Sequence, residues 1–416
     1  MKKIPVEIYF FIGMITSFPV IDILNGFFLA SNLAISIGTI YRTLFFLFLL
    51  VSVLLKKIPN SVFSLIFFLF LIGNGLNFLT QHIFLQNPLN WIVDDIGAFV
   101  KYFLWVLIPF YVNQRTDFFD KRLVENVFIW LNVFFTVGLL IPYLFGVGTY
   151  TYAASNAGFK GYFFAQNDLA CAFIILITFS GWQLLKKIKT NWGTSLVVII
   201  LLFLADFLCL LLMGMKTGVV YGVVVVIYVL IALLLNKSNQ SWGQRTVVWF
   251  VSIGVVFFVS LRGMAILLKM VEGTYNRMVY FYYLYGGDWV RLLSSSRSDY
   301  LKGGMTLFLD DKHFPVTFFV GQGFAYRDGN FGRLGLIEMD FFDIIFGLGV
   351  MGISLFIVMI GYFLIKSLKS NSRSIYSLLF IVTLAYSFFA GHVFFSAISS
   401  TMLGLIIGGI MLAQKK

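Results

Sequence analysis

Twelve apolar runs, each near the roughly 20 residues that a helix needs to cross a bilayer, divide this 416-residue chain. They fall near 6–28, 34–55, 61–80, 95–112, 124–145, 166–185, 193–211, 214–235, 246–263, 339–365, 375–391 and 395–413. Only 12% of the residues are charged, against about 25% in an ordinary soluble domain. A chain this apolar has no means of covering a soluble surface. The expected fold is an all-α polytopic membrane protein of about 12 transmembrane helices, a single transmembrane domain over 1–416. The basic start leads into a long apolar run with no small-x-small cleavage site after it. It reads as a first membrane helix, not a removed signal. Cys171 and Cys209 both sit inside apolar runs and read as small buried hydrophobes.

The net charge of +12 raises the question of nucleic acid. The distribution excludes it. Lys2/Lys3, Lys56/Lys57, Arg115/Lys121/Arg122, Lys186/Lys187/Lys189, Lys237/Arg245, Lys366/Lys369/Arg373 and Lys415/Lys416 fall in short connections on one side of a twelve-span arrangement. The positive-inside rule makes that side cytoplasmic, with both termini inside.

One long polar interruption, 264–338, joins the ninth and tenth helices and is expected outside the membrane. Long loops in compact proteins are usually functional or disordered, and the basic and aromatic content here speaks against disorder. Residues 264–285 suit an aromatic helix at the membrane surface. Ser296 is placed to cap a second helix beginning "SRSDYLKGGMTLF". "VGQGF" and "DGNFG" are turn-rich and are expected to loop over a cavity.

The remaining charges run against the topology rule. Arg42, Lys160, Lys216, Arg297 and Arg333 map to the outer side, with Asp168, Asp206, Glu338, Asp340, Asp343 and all three histidines. Charges at membrane depth are costly and usually line a polar cavity or pair up. Lys160 in "GFKGYFFAQNDLA" is followed by Asn167 and Asp168, Lys216 lies in "LLMGMKTG", and His392 lies in "AGHVFFSAISS". Cations set among glycines suit a phosphate or pyrophosphate, Arg as a bidentate donor and Lys as a point charge. A lipid pyrophosphate lies at headgroup depth and leaves readily once its charge is stabilised. A base to activate an acceptor hydroxyl would complete such a site. Each residue also has a plainer reading. Arg42 snorkels or meets Asp22, and Lys160 and Lys216 are loop charges. Arg297 pairs with Asp299, and Arg333 with Glu338 or Asp340. Asp206 partners a cation. Arg277, Arg291, Lys302, Lys312 and Arg327 are solvated, and His82 and His313 are exposed. No residue spacing indicates a metal site.

Taken in order, "IDILNGFFL" with "ISIGTIYR", "GFKGYFFAQNDLA", "LLMGMKTG", "LLSSSRSDYL", "VGQGFAYR" followed by "IEMDFFDIIFGLGVMG", and "AGHVFFSAISS" resemble the Wzy-type polysaccharide polymerases of the O-antigen ligase/polymerase superfamily. The resemblance implies a GT-C-type glycosyltransferase fold in a bacterial plasma membrane. It implies that undecaprenyl-pyrophosphate-linked oligosaccharides are joined on the outer face, without metal or other cofactor. A flippase and a chain-length regulator are the expected partners. On matching positions, Arg42, Lys160, Lys216 and Arg297 would meet the pyrophosphate, and His392 would be the base or a phosphate partner. One position departs from the pattern. A His-Asn pair expected soon after the loop "G-x-G" is replaced by Glu338 and Asp340. This counts against a ligase and leaves the base open between Asp340, Glu338 and His392. The alternatives are a ligase that moves finished polymer and a lipid-linked oligosaccharide flippase or transporter.

Overall fold

The computed structural model describes residues 5–33, 36–152, 157–190, 193–235, 264–369 and 374–413. Eight helices among the described residues are long and apolar enough to cross a membrane. They are α1 (Val6–Ala30), α2 (Ile37–Leu55), α3 (Val62–Leu85), α5 (Lys121–Leu144), α6 (Gln166–Thr190), α7 (Thr194–Met213), α8 (Lys216–Leu234) and α14 (Asp340–Leu368). Between and after them come α4 (Leu89–Gln114), α15 (Ile375–Ala390) and α16 (Ala397–Ala413). The apolar run expected near 246–263 lies outside the described residues. The 264–338 segment is built from α9 (Met264–Leu284), α10 (Trp289–Ser294), α11 (Arg297–Leu309), α12 (Val316–Val320), α13 (Phe324–Phe331) and a 3-10 turn over Gly332–Leu334.

The chain groups into two compact units. The first comprises Met1–Ile15, Ser36–Glu125 and Tyr282–Lys416. In it α16, buried along its whole length, lies against α4. Ser400 Oγ donates to Lys101 O at 2.6 Å. A Cβ on Gly404 would stand 2.9 Å from Ile108, and one on Gly408 3.4 Å from Val112. Small residues at every fourth position let the two backbones approach, the usual device where helices pack without a hydrophobic driving force. Arg115 ties the near ends of three helices. It donates to both Glu7 carboxylate oxygens at 3.1 Å and to Ser52 O at 2.8 Å, and its guanidinium lies 3.9 Å from the Tyr111 ring centroid.

The other organising feature of this unit is a break in α14. Gly349 sits at φ 65°, ψ −168°, so the helical ladder is interrupted and preceding carbonyls lose their partners. Amides of α3 take them up: Asn77 Nδ2 donates to Leu348 O, and Gln81 Nε2 to Gly347 O, each at 2.8 Å. The "VGQGF" segment supplies the rest, through Gln322 N to Phe346 O at 2.9 Å and Gly323 N to Gly347 O at 3.0 Å. Val320, Gly321, Gln322 and Gly323 are therefore buried. This corrects the expectation of an open loop there. "DGNFG" likewise is not a turn, since most of it completes α13. A Cβ at Gly349 would fall 2.4 Å from Phe319 O. Gly349→Ala is expected to lower the melting temperature of the purified protein by several degrees, since the left-handed backbone alone costs an L-residue about 1–2 kcal/mol.

The second unit comprises Thr16–Ile35 and Asn126–Phe281. Its core is the buried helix α6, packed by α7 and α8. Asp206 of α7 is fully buried. It accepts hydrogen bonds from Asn132 Nδ2 at 2.9 Å, Ser180 Oγ at 2.7 Å and Thr136 Oγ1 at 3.4 Å. Its partners are thus neutral donors, not the cation expected for it. Cys171 and Cys209 are buried thiols outside any disulfide, with no exposure, as expected. The all-α expectation missed a two-stranded antiparallel hairpin, β1 (Thr149–Tyr152) and β2 (Ala157–Gly161), with Tyr150 opposite Phe159. Gly158 and Gly161 within β2 have φ of 72° and 57°. That irregularity hides the strand among turn-forming glycines in the sequence.

Candidate active site

Three chain reversals meet in the first unit. At the first, Ser295 and Ser296 adopt φ of 54° and 66° and turn the chain into α11, whose first residue is Arg297. Ser296 stands at the cap position as expected, but its side chain does not cap. Its Oγ lies 2.5 Å from the Tyr285 hydroxyl instead. The second is the entry to α14, where Glu338 has φ 62°; the third is the exit from α15, where Gly391 and His392 have φ of 62° and 61°. Non-glycine residues in this region are uncommon, and clustering of such strain is typical of functional sites.

Arg297 joins these turns. Nη1 donates to Phe389 O at 3.1 Å, and Nη2 donates to Ala390 O at 3.3 Å and to Glu338 Oε2 at 2.8 Å. The other Glu338 oxygen faces His392 Nε2 at 4.0 Å. Glu338 thus lies between a guanidinium and an imidazole. Its side chain is 44% exposed, His392 32% and Arg297 12%, so the group is open to a ligand while its cation is held from behind. His392, with Arg297 adding to it against the effect of burial, holds the Glu338 carboxyl down to about 2. A depressed carboxylate gives stability that is present above its unfolded value, about 4.3, and is lost as pH falls through the folded value. Wild-type protein is therefore expected to lose more melting temperature between pH 5 and pH 2 than Glu338→Gln, as read by paired thermal scans.

The two aspartates of the first turn of α14 are turned inward, where the helix N-terminus favours negative charge. Asp340 Oδ2 accepts from Val393 N at 2.8 Å, which fixes the residue after His392. Asp343 Oδ1 accepts from Ile337 N at 2.7 Å and Oδ2 from Met339 N at 3.1 Å, on either side of Glu338. Asp340 is 2% exposed, and of the three base candidates it alone is sealed from the surface. Gly391 is needed where the two turns touch, because a Cβ there would stand 2.2 Å from Glu338 O.

Other expected site residues are placed differently. Arg333 is exposed on its 3-10 turn; Glu338 meets Arg297 and His392 instead. Asp299 pairs with Arg291 at 2.7 Å, not with Arg297. Arg277 is not simply solvated, since its guanidinium stacks on the Tyr152 ring at 3.2 Å. Arg327 was expected in solvent but is 1% exposed. It donates to Gly335 O at 2.8 Å, Leu334 O at 3.2 Å and Gln322 Oε1. His82, also expected exposed, is buried between Asn87 Nδ2 at 2.9 Å and Asp95 Oδ2 at 3.5 Å. Arg327 thus satisfies buried carbonyls and the Gln322 amide, and His82 sits among buried polar side chains, as buried polar groups require.

Arg42, on α2 of the first unit, is half-buried. In the second unit, Gln166 Nε2 donates to Met213 O at 2.5 Å. That bond joins the start of α6, with Asn167 and Asp168, to the turn before Lys216. Lys160 of β2 donates to Phe164 O at 2.7 Å, and burial lowers its ammonium pKa. The two lysine-bearing segments read from the sequence are thus neighbours.

The family model described as O-antigen ligase like membrane protein matches residues 4–285. That range holds Arg42, Lys160, Asn167, Asp168 and Lys216, while Arg297, Glu338, Asp340 and His392 lie beyond it. No curated protein is significantly similar to the chain. The match and the apolar helices mark a multi-pass membrane protein of a glycan-processing kind. On a match that spans most of its length, the chain belongs to the O-antigen ligase-like membrane protein family.

Proposed function

We propose that this protein is a polysaccharide repeat-unit polymerase of GT-C type in a bacterial plasma membrane, acting on undecaprenyl-pyrophosphate-linked oligosaccharides at the outer face. The observation that carries the reading is the Arg297–Glu338–His392 group, brought together at three chain reversals that each contain left-handed residues. In the proposed step, a hydroxyl at the non-reducing end of one lipid-linked unit attacks the anomeric carbon of another. The bond from that carbon to the pyrophosphate oxygen breaks, the lipid pyrophosphate leaves, and the hydroxyl proton passes to His392. An imidazole titrates in the range a general base needs. Glu338, ionised far below neutrality, orients the ring and stabilises the imidazolium. Arg297 offers its guanidinium to the departing phosphate, in competition with Glu338. Arg42, Lys160 and Lys216 are proposed pyrophosphate contacts, as the resemblance implies, and Asn167, Asp168 and Arg333 are proposed substrate contacts from their place in the polar outer-end segments.

Deleting the gene in its native host tests the reading. A polymerase leaves single lipid-linked repeat units and no long polymer. A ligase, the second reading, leaves full-length polymer stranded on its lipid. Units trapped on the cytoplasmic leaflet would point to a flippase and defeat both.

A further inference from the structure

Glu338 is a non-glycine residue at φ 62°, and its conformation needs a cause. The next residues of α14 supply one. Asp343 is 5% exposed, and each of its oxygens accepts one backbone N–H, Ile337 N at 2.7 Å and Met339 N at 3.1 Å. These N–H groups belong to the two residues that flank Glu338. A carboxylate accepting from residues i−1 and i+1 draws both N–H groups to one side and presses the residue between them outward. The segment before Ile337 is anchored separately: Arg327, 1% exposed, donates to Leu334 O and Gly335 O. Gly304 of α11 leaves the room for this, since a Cβ there would meet Ile337 Cδ1 at 2.6 Å and Arg327 Nη2 at 3.3 Å. The Met339 bond also serves the start of α14, since a first-turn carboxylate that reaches back to the N–H of the cap residue is a usual helix-start contact. The Ile337 bond goes further, past Glu338 to the segment before the cap.

We infer that Asp343 is a positioning residue that acts through Glu338, holding its backbone so that the carboxylate stands between Arg297 and His392. The inference rests on the proposed role of Glu338. Asp343 touches no substrate in this account. Its loss leaves the charges of the site in place and moves them.

The test is a double-mutant cycle on the full-length protein in membranes, with initial rates and KM measured on a defined lipid-linked repeat unit. The four proteins are wild type, Glu338→Gln, Asp343→Asn and the double variant. Size-exclusion profiles in detergent establish that each is folded. Asp343→Asn keeps the volume but presents an amide donor to one of the two N–H groups. Displacing a catalytic group by about 1 Å costs on the order of 100-fold in rate, so kcat should fall by about that factor with KM nearly unchanged. In the Glu338→Gln background the same change should cost less than about twofold, because residues acting through one another are not additive. If the Asn variant does not reach the membrane, Asp343→Glu carries the same expectation, since it keeps the charge and shifts both oxygens. Losses that multiply in the double variant, or an Asp343→Asn enzyme as fast as wild type, would overturn the inference. A Glu338→Gln enzyme with wild-type activity would instead overturn the reading of Glu338 itself.

Discussion

Replacing Arg297 by Ala is expected to reduce turnover of a lipid-linked repeat unit by about 10³-fold, the order seen when one preorganised donor to developing negative charge is removed. The expectation follows from how Arg297 is held. Its guanidinium is anchored on Phe389 O and Ala390 O and presents Nη2 to Glu338. The cation therefore stands fixed before any substrate arrives and needs no reorganisation when the phosphate leaves. Arg297→Lys tests geometry against charge. A lysine keeps the charge but cannot bond two carbonyls and an anion in one plane, so it should restore only part of the rate. Since the same side chain ties the end of α15 to the turn before α14, the Ala variant should also melt at a lower temperature. Rates are to be compared below both melting points. An Arg297→Ala enzyme with near-wild-type turnover would remove Arg297 from the chemistry.

The second large effect concerns His392. His392→Ala should lower turnover by about 10²–10⁴-fold, the usual contribution of a positioned general base. The pH profile separates it from its neighbours. A neutral imidazole is the active form, so wild-type turnover should fall on the acid side as the ring protonates. His392→Ala should abolish that limb. Glu338→Gln should move it to lower pH, because a carboxylate beside an imidazole favours the charged form and its removal takes that support away. If His392→Ala kept the acid limb, the proton would go elsewhere, and Glu338 would become the base to test.

Much of the helical framework was legible because an apolar run near the length of a bilayer has few other destinations. α2, α3, α6, α7 and α14 begin and end close to where the runs do. The break at Gly349 was not legible, because "GLGVMG" reads as any apolar run, and only the polar face of α3 (Asn77 and Gln81) shows that carbonyls await partners there. The site was readable residue by residue but not in its pairings. Arg333 stands five positions before Glu338 and seemed its natural partner, yet the turn over Gly332–Leu334 directs it outward. Arg297, 41 residues away, takes the place. Sequence proximity is a poor guide where the chain reverses through left-handed residues, since each such residue redirects the side chains that follow. Arg327 and His82 were misplaced for a related reason. A charge in a polar segment usually faces water, but a broken helix with a buried loop against it requires polar side chains inside.

As proposed, this protein lengthens glycans by joining lipid-linked units to one another. The most direct measurement is reconstitution of the purified protein in vesicles with a single defined undecaprenyl-pyrophosphate-linked repeat unit and nothing else, with products separated by size. A polymerase gives a ladder whose rungs differ by one repeat unit, abolished by Arg297→Ala. Unchanged single units with the wild-type protein, or transfer that begins only when a separate acceptor lipid is added, would contradict it.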